Sequence, residues 1–385
     1  MFDQRIRDRL TLQQKTGLYR NPPTIEHREG KVVYSEGKPY LSFASNDYLG
    51  IADSPLLKNI LRRSVDRYGT SSSSSRLVTG NYRIIQEAEA AYADYFGYET
   101  ALFYPSGFQA NLGLLSTIFE PGDEVLVDQH IHASSVKGMA LSGADVVSFR
   151  HGNLDHLEKK LRKITGDQPA VVTEALFSMD GDLLDVAKLV RLKERYGFLS
   201  VVDEAHSFGA IGSGGRGIAK NVADIAVGTF GKAFGFFGAF LLIPAVIKEY
   251  LINFSAPLMF TTTLPPSHAG AALEILEIVR QANRERDKLA AVSRSMKEAL
   301  LQEGFRAFGD AHILGVELGY EELAVRVSLG LKAKGILVFP ARYPTVALNH
   351  AILRIGMSAL HDEADVTLFI RSLREIYQKE VKNHG

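Results

Sequence analysis

The sequence predicts an α/β fold with a large, mainly parallel sheet. Three observations carry that reading. From about Glu99 to Pro244, short apolar or β-branched runs alternate with helix-like segments, the pattern that places parallel strands beneath crossover helices. The runs are TALFYP, EVLVD, DVVSF, AVVTEALF, FLSVVD, DIAVGTF and GAFLLI. In the segment DVAKLVRLKERYG, Asp185 is placed to N-cap a helix and Gly197 to end it. Finally, chemically able side chains fall where runs end: Ser106, Ser178, Asp203, His206, Thr229 and Lys232. Sheets of this kind bind ligands at the carboxyl ends of their strands.

Either side of this region the pattern changes. Residues 1–40 read as an N-terminal arm: an amphipathic helix, a break at Asn21-Pro22-Pro23, and two short strand-like pieces around KVVYSEGKPYLSF. Residues 41–285 form the large domain. A long helical stretch from about Pro266 to Glu303 leads into a small C-terminal α+β domain, 286–385, with the order HILGVEL, helix, GILVFPAR, AILRIGMS, helix. The run Ser71 to Ser75 has the composition of a flexible linker.

Composition removes several classes of function. The chain has 385 residues, with 44 basic and 44 acidic side chains. No Lys/Arg-rich block marks a nucleic-acid or membrane-surface footprint. There is no cysteine, so disulfides, thiolate metal sites and a cysteine nucleophile are excluded, and no metal site is expected. The charged start MFDQRIRDRLTLQQKTG is unlike an export signal. The stretch FGFFGAFLLIPAVI is glycine-broken and shorter than the roughly 20 residues of a membrane span. The expectation is a soluble, cytoplasmic protein.

Two segments concentrate the chemistry. Lys232 sits in DIAVGTFGKAFGFFG, just past an apolar run and inside a glycine-flanked turn. An amine attacks an aldehyde only when unprotonated, and partial burial beside another cation lowers a lysine pKa in that direction. Upstream, FLSVVDEAHSFGAIGSGGRG places Asp203 and His206 after a strand. Together they suggest a Schiff-base lysine for pyridoxal phosphate, with Asp203 keeping the pyridine nitrogen protonated so that the ring accepts electrons. His132, in VDQHIHASSVKG, is a candidate to stack on that ring. Ser106-Gly107-Phe108 opens a helix whose first N–H groups can bind phosphate, and Thr229 can donate to it. Arg354, in AILRIGMS, can clamp a carboxylate; Arg20 is ambiguous. DEAH also invites an NTPase reading, but AVGTFGKA lacks the first glycine and the Ser/Thr of a phosphate-binding loop and follows DEAH instead of preceding it.

Taken in order, these segments resemble the α-oxoamine synthases, which condense an amino acid with an acyl thioester and release carbon dioxide. The matching segments are SNDYLG (45–50), SRLVTGN (75–81), FYPSGFQAN (103–111), HASSVKG (132–138), FSMDGD (177–182), DEAHSFGAIGSGGRG (203–217), TFGKAFG (229–235), TTTLPP (261–266), YPTV (343–346) and LRI (353–355). The resemblance runs from LYR at 18–20 to the C-terminal helix. It implies the fold-type I, aminotransferase-like architecture and a homodimer whose active sites lie at the subunit interface. It further implies that Lys232 forms the internal aldimine, that Asp203 pairs with the ring nitrogen, that His206 contacts the ring hydroxyl, and that His132 stacks over the ring. Gly107, Phe108, Ser178 and Thr229 would hold cofactor and phosphate, and Thr261 or Thr262 would reach the phosphate in the partner subunit. Asn46 and Arg354 would hold the amino-acid carboxylate; Arg20 and Thr345 would line the acyl path.

SNDYLG, LYR and SRLVTG most resemble the members that make 8-amino-7-oxononanoate in biotin synthesis from alanine and a pimeloyl thioester, carried on coenzyme A or a carrier protein. This chain departs from them in three places. The serine run stands where glycines are usual, a histidine is missing from GNYRIIQEAE, and Val346-Ala347 replaces a usual VP. Glycine or serine with a different acyl-CoA therefore stays open as an alternative.

Overall fold

Seven apolar runs become one sheet in the computed structural model, which describes residues 2–166 and 168–382. In chain order the strands are β1 (Thr100–Tyr104), β2 (Glu124–Asp128), β3 (Asp145–Phe149), β4 (Ala170–Glu174), β5 (Leu199–Asp203), β6 (Ile225–Thr229) and β7 (Ala239–Ile243). Their spatial order is β1-β7-β6-β5-β4-β2-β3. Neighbours from β3 to β6 pair in parallel, whereas β7 is antiparallel to both β6 and β1. The reason is chain length: the turn 230–238 is shorter than the dozen or so residues a parallel crossover needs. Strands β4, β6 and β7 are buried at every residue, hence their mainly apolar sequences, with Thr173 and Glu174 the polar end of β4.

The chain divides into two compact units. The sheet belongs to the unit made of Ile51–Ser178 and Leu183–Arg286. On one face, Leu102, Val125, Val127, Val172, Val201, Val227 and Leu241 pack against Leu114 and Leu115. On the other, Phe103, Phe230, Phe234 and Phe240 gather around Tyr92. Burying each such side chain contributes about 1.5–3 kcal/mol. Helices follow strands with local stop and start signals. α1 (Gly107–Ile118) is capped by Ser106; α2 (Ala133–Ser142) is capped by His132. α3 (Val186–Tyr196) begins at Asp185, which accepts from the Lys188 N–H, and ends at Gly197 in the left-handed conformation, as the sequence predicts.

The helix expected to run from Pro266 to Glu303 is two: α4 (Pro266–Gln281) and Asn283–Gln302. No glycine or proline signals the break at Ala282. Instead the buried Arg286 donates to the carbonyls of Val279 (2.7 Å) and Arg280 (3.3 Å) and to Asn283 Oδ1 (2.8 Å). A guanidinium thus satisfies the carbonyls that a continuing helix would have used.

The second unit comprises Met1–Gly50, Met179–Asp182 and Asp287–Gly385. Its N-terminal strands His27–Glu29, Val32–Ser35 and Lys38–Ser42 form a sheet completed by Ile336–Leu337, which pairs in parallel with Lys38–Ser42. A second sheet joins Ala307–Phe308, Ile313–Gly319, Ala351–Gly356 and Phe339–Ala341, all antiparallel. The arm's strands are therefore completed by a strand nearly 300 positions later in the chain. No described helix is long and apolar enough to cross a membrane.

Candidate active site

The ends of β1, β2, β4, β5 and β6 deliver most of the expected side chains to the sheet-bearing unit. Asp203 closes β5, where its backbone is in register with Glu174 at the end of β4. Its two carboxylate oxygens are held separately. The Ala205 N–H donates to Oδ1 and Asn111 Nδ2 to Oδ2, both at 2.8 Å.

Asn111 is buried on α1 and makes a second bond, donating to Ser134 Oγ at 3.1 Å. Ser134 Oγ lies 2.7 Å from His132 Nδ1, and the Ser134 N–H also donates to that nitrogen (3.2 Å). The directions follow from the donors. The Ser134 N–H can only donate, so Nδ1 accepts from it and the nearby hydroxyl donates to Nδ1 as well. Nδ1 is then an acceptor, and the neutral imidazole carries its proton on Nε2. This tautomer has no signature in the sequence, and neither Asn111 nor Ser134 stands out there as a functional residue.

Glu174 is a second residue that the sequence does not single out. It is buried and accepts from the His132 backbone N–H at 2.6 Å. Burial drives its pKa well above the usual carboxylate range, and the Asp203 charge adds to the rise while Lys232 opposes it. The His132 pKa is lowered by desolvation; Asp203 pulls it up and Lys232 pushes it down. His132 and Glu174 thus each feel the charges of both Asp203 and Lys232.

Lys232 is half-buried in the turn between β6 and β7, whose Gly235 N–H returns to the Lys232 carbonyl at 2.8 Å. Thr229, one turn earlier, donates its hydroxyl to the Gly238 carbonyl (3.0 Å) and accepts from the Gly231 N–H (3.1 Å). It shapes the turn itself. Gly107 opens α1 opposite Thr229: a Cβ placed on it would come within 3.9 Å of the Thr229 Cβ. A helix N-terminus of this kind favours an anion by about 0.3–1 kcal/mol per charge. Phe108 is exposed beside it, Ser178 is half-buried, and His206 is buried in the turn after β5. Glu204, the other acid of DEAH, is turned inward. It accepts from Ser207 Oγ and from the N–H groups of Ile218 (3.0 Å) and Ala219 (2.7 Å), and offers nothing to a magnesium ion.

The serine run is pinned, not loose. Ser72 Oγ contacts the carbonyls of Ser74 and Thr263, each at 3.0 Å. The Thr263 N–H donates to Ser74 O (3.1 Å), and Ser74 Oγ accepts from the Thr79 N–H (3.1 Å). Ser73 alone of the run takes a positive φ, 50°. The hydroxyls supply the local bonds that compositional reasoning overlooks. They also fasten the run to the segment bearing Thr261, which is half-buried, and Thr262, which is exposed.

In the other unit, the buried Arg354 donates to Asn46 Oδ1 at 3.3 Å, and the Tyr48 hydroxyl donates to the same oxygen at 3.1 Å. Tyr48 is fully buried, with its ring 4.0 Å from that of His312. Burial raises its pKa to about 12, opposed by Arg354. The hydroxyl therefore stays protonated and keeps Asn46 oriented. Arg20 and Thr345 are both exposed.

The cluster fits pyridoxal phosphate. It offers a half-buried amine, a carboxylate fixed by a hydrogen bond at each oxygen, a flat imidazole and a helix N-terminus opened by a glycine. Comparison with known families supports the same group, since the model for aminotransferase class I and II matches residues 38–373. The chain belongs to that family. This family member is 38% identical over 368 residues to the 8-amino-7-oxononanoate synthase of Chlorobaculum parvum, covering 92% of this chain and 93% of that one. Among solved structures it resembles the serine palmitoyltransferase of Sphingomonas wittichii (TM-score 0.91, 28% identity, 98% of each chain). It also resembles the 8-amino-7-oxononanoate synthase of Francisella tularensis (TM-score 0.77, 31% identity, 89% of this chain and 98% of that one). The family member is a pyridoxal-phosphate enzyme of fold-type I that transfers an acyl group, an α-oxoamine synthase.

Proposed function

We propose that the enzyme condenses L-alanine with a pimeloyl thioester, on coenzyme A or a carrier protein, to give 8-amino-7-oxononanoate, carbon dioxide and free thiol. The observation that supports it most is the run of hydrogen bonds from Asp203 through Asn111 and Ser134 to His132, with Lys232 acting on His132 by its charge, in a chain 38% identical to a synthase of that name. Bound pyridoxal phosphate supplies the electron sink for bonds broken at the amino acid's α-carbon. Lys232 holds it and, when its amine is free, moves the α-proton. Asp203 would keep the ring nitrogen protonated, and His206 would contact the ring hydroxyl. His132 would stack on the cofactor ring, and its Nε2–H would orient the substrate carboxylate and the thioester carbonyl. Gly107, Phe108, Ser178 and Thr229 take the cofactor and its phosphate. Asn46 and Arg354 are assigned the amino-acid carboxylate, and Arg20 and Thr345 the acyl chain. The chain acts as a homodimer in which Thr261 or Thr262 serves the partner's cofactor.

The likeness to serine palmitoyltransferases favours a second reading, serine or glycine with another acyl-CoA. Thiol release should be measured for alanine, glycine and serine against pimeloyl, short-chain and long-chain thioesters. Turnover restricted to alanine with a pimeloyl thioester is the expected result. A preference for serine with a long acyl chain would install the second reading in its place.

A further inference from the structure

His268 has no part in the roles above, yet it is bonded to the turn that carries Lys232. It lies in the first turn of α4 and is 5% exposed. Phe236 stacks on its ring (4.4 Å, 20°), and Phe230 and Phe103 meet it edge-on at 5.1 and 6.2 Å. Its Nε2 lies 2.5 Å from the Phe237 carbonyl oxygen. A carbonyl only accepts, so Nε2 carries the proton and Nδ1 a lone pair. That Nδ1 is buried and has no hydrogen-bond partner among the described residues. An imidazole in an aromatic pocket is poor economy for stability alone, because an apolar ring would leave no orphan acceptor. The compensation is the bond to Phe237.

The turn 230–238 is closed by bonds within itself and to β6, and its Phe230 and Phe234 pack on Tyr92. Gly235 N–H donates to Lys232 O (2.8 Å), Phe236 N–H to Phe230 O and Phe230 N–H to Gly238 O (both 2.9 Å). His268 ties it to a separate helix. Gly238 leaves the imidazole room: its φ is +102°, and a Cβ there would sit 3.1 Å from Nε2 and 3.2 Å from Tyr104 O. The three ring neighbours, Phe103 on β1 and Phe230 and Phe236 in the turn, do not titrate. Burial, opposed by the Phe237 bond, holds the His268 pKa down at about 4, so at neutral pH Nδ1 stays unprotonated and Nε2 is the donor.

We propose that His268 is a positioning residue for Lys232, bracing the 230–238 turn from behind and thereby fixing the direction of the amine; this rests on Lys232 being the cofactor lysine. The test compares wild type with His268→Phe, which keeps the stacking and removes the donor, and His268→Gln, which keeps a donor at similar reach. Hydrogen exchange of the 230–238 amides is read on the cofactor-free protein. Pyridoxal phosphate affinity, and the pH at which the loaded protein's absorbance titrates, are read separately. His268→Phe should speed exchange at Gly235 and Phe236 roughly tenfold, weaken cofactor binding and move the titration midpoint, while His268→Gln stays near wild type. If His268→Phe fails to fold, His268→Asn, too short to reach Phe237, carries the same expectation. Exchange and midpoint unchanged in the donor-less variant, or a Gln variant as impaired as Phe, overturns the proposal. A wild-type protein that takes no pyridoxal phosphate at Lys232 overturns the reading of Lys232 instead.

Discussion

Asp203 and His132 communicate through two neutral side chains, Asn111 and Ser134. Removing the amide with Asn111→Ala takes a charge-assisted bond from Asp203 and frees Ser134 to turn its proton away from His132. Turnover should fall about 10- to 100-fold, the cost of one hydrogen bond to a charged group, with the amino-acid KM little changed; steady-state kinetics checks this. Lys232→Ala should abolish the borohydride-reducible link to pyridoxal phosphate and lower turnover by at least about 10²–10⁴-fold; mass spectrometry of the reduced protein reads the first. Lys232, Asp203 and His132 were visible in the sequence because each stands beside a strand end in an unusual context. Asn111, Ser134, Glu174 and Tyr48 were not: an asparagine or a buried acid becomes meaningful only through a partner distant in the chain, as Asn111 is from Asp203.

Among the elements, strands such as β6 and β7 were legible because strands buried on both faces read as short apolar runs. The N-cap Asp185 and the terminator Gly197 were legible because caps are local. The break at Ala282 was hidden, being made by Arg286 reaching back over the turn. So was the order of Ser71 to Ser75, since serine-rich composition does not say whether hydroxyls find carbonyls. The segment 204–219 offers its own test. Fully buried Glu204 accepts the Ile218 and Ala219 N–H groups, and burial raises its pKa to about 7. The folded chain therefore keeps a proton that the unfolded chain releases near pH 4.5. Its contribution to stability is present below pH 4.5 and is lost as pH rises to about 7, on the order of 3 kcal/mol in all. Glu204→Gln should remove that component of the pH dependence, as urea unfolding at pH 5 and pH 8 would show.

Over the whole molecule, two histidines, one in each unit, act in the opposite sense. Burial holds His268 and His361 near a pKa of about 4, so each folds as the neutral imidazole. The unfolded chain binds more protons between pH 6.5 and 4; stability is full above about 6.5 and drains away on acidification. Thermal unfolding should accordingly show Tm falling over that interval, and less steeply in His361→Gln. The proposed dimer predicts a solution mass twice the 42.3 kDa of one chain, read by light scattering. In the isolated chain, Phe260 is 81% exposed, and Val246 and Phe254, on the helix Ala245–Phe254, are 72% and 62% exposed. Such a surface penalises solitude: at nanomolar concentration, specific activity should decay with time and be preserved by an inert carrier protein, so assay stocks are best kept concentrated until the moment of mixing.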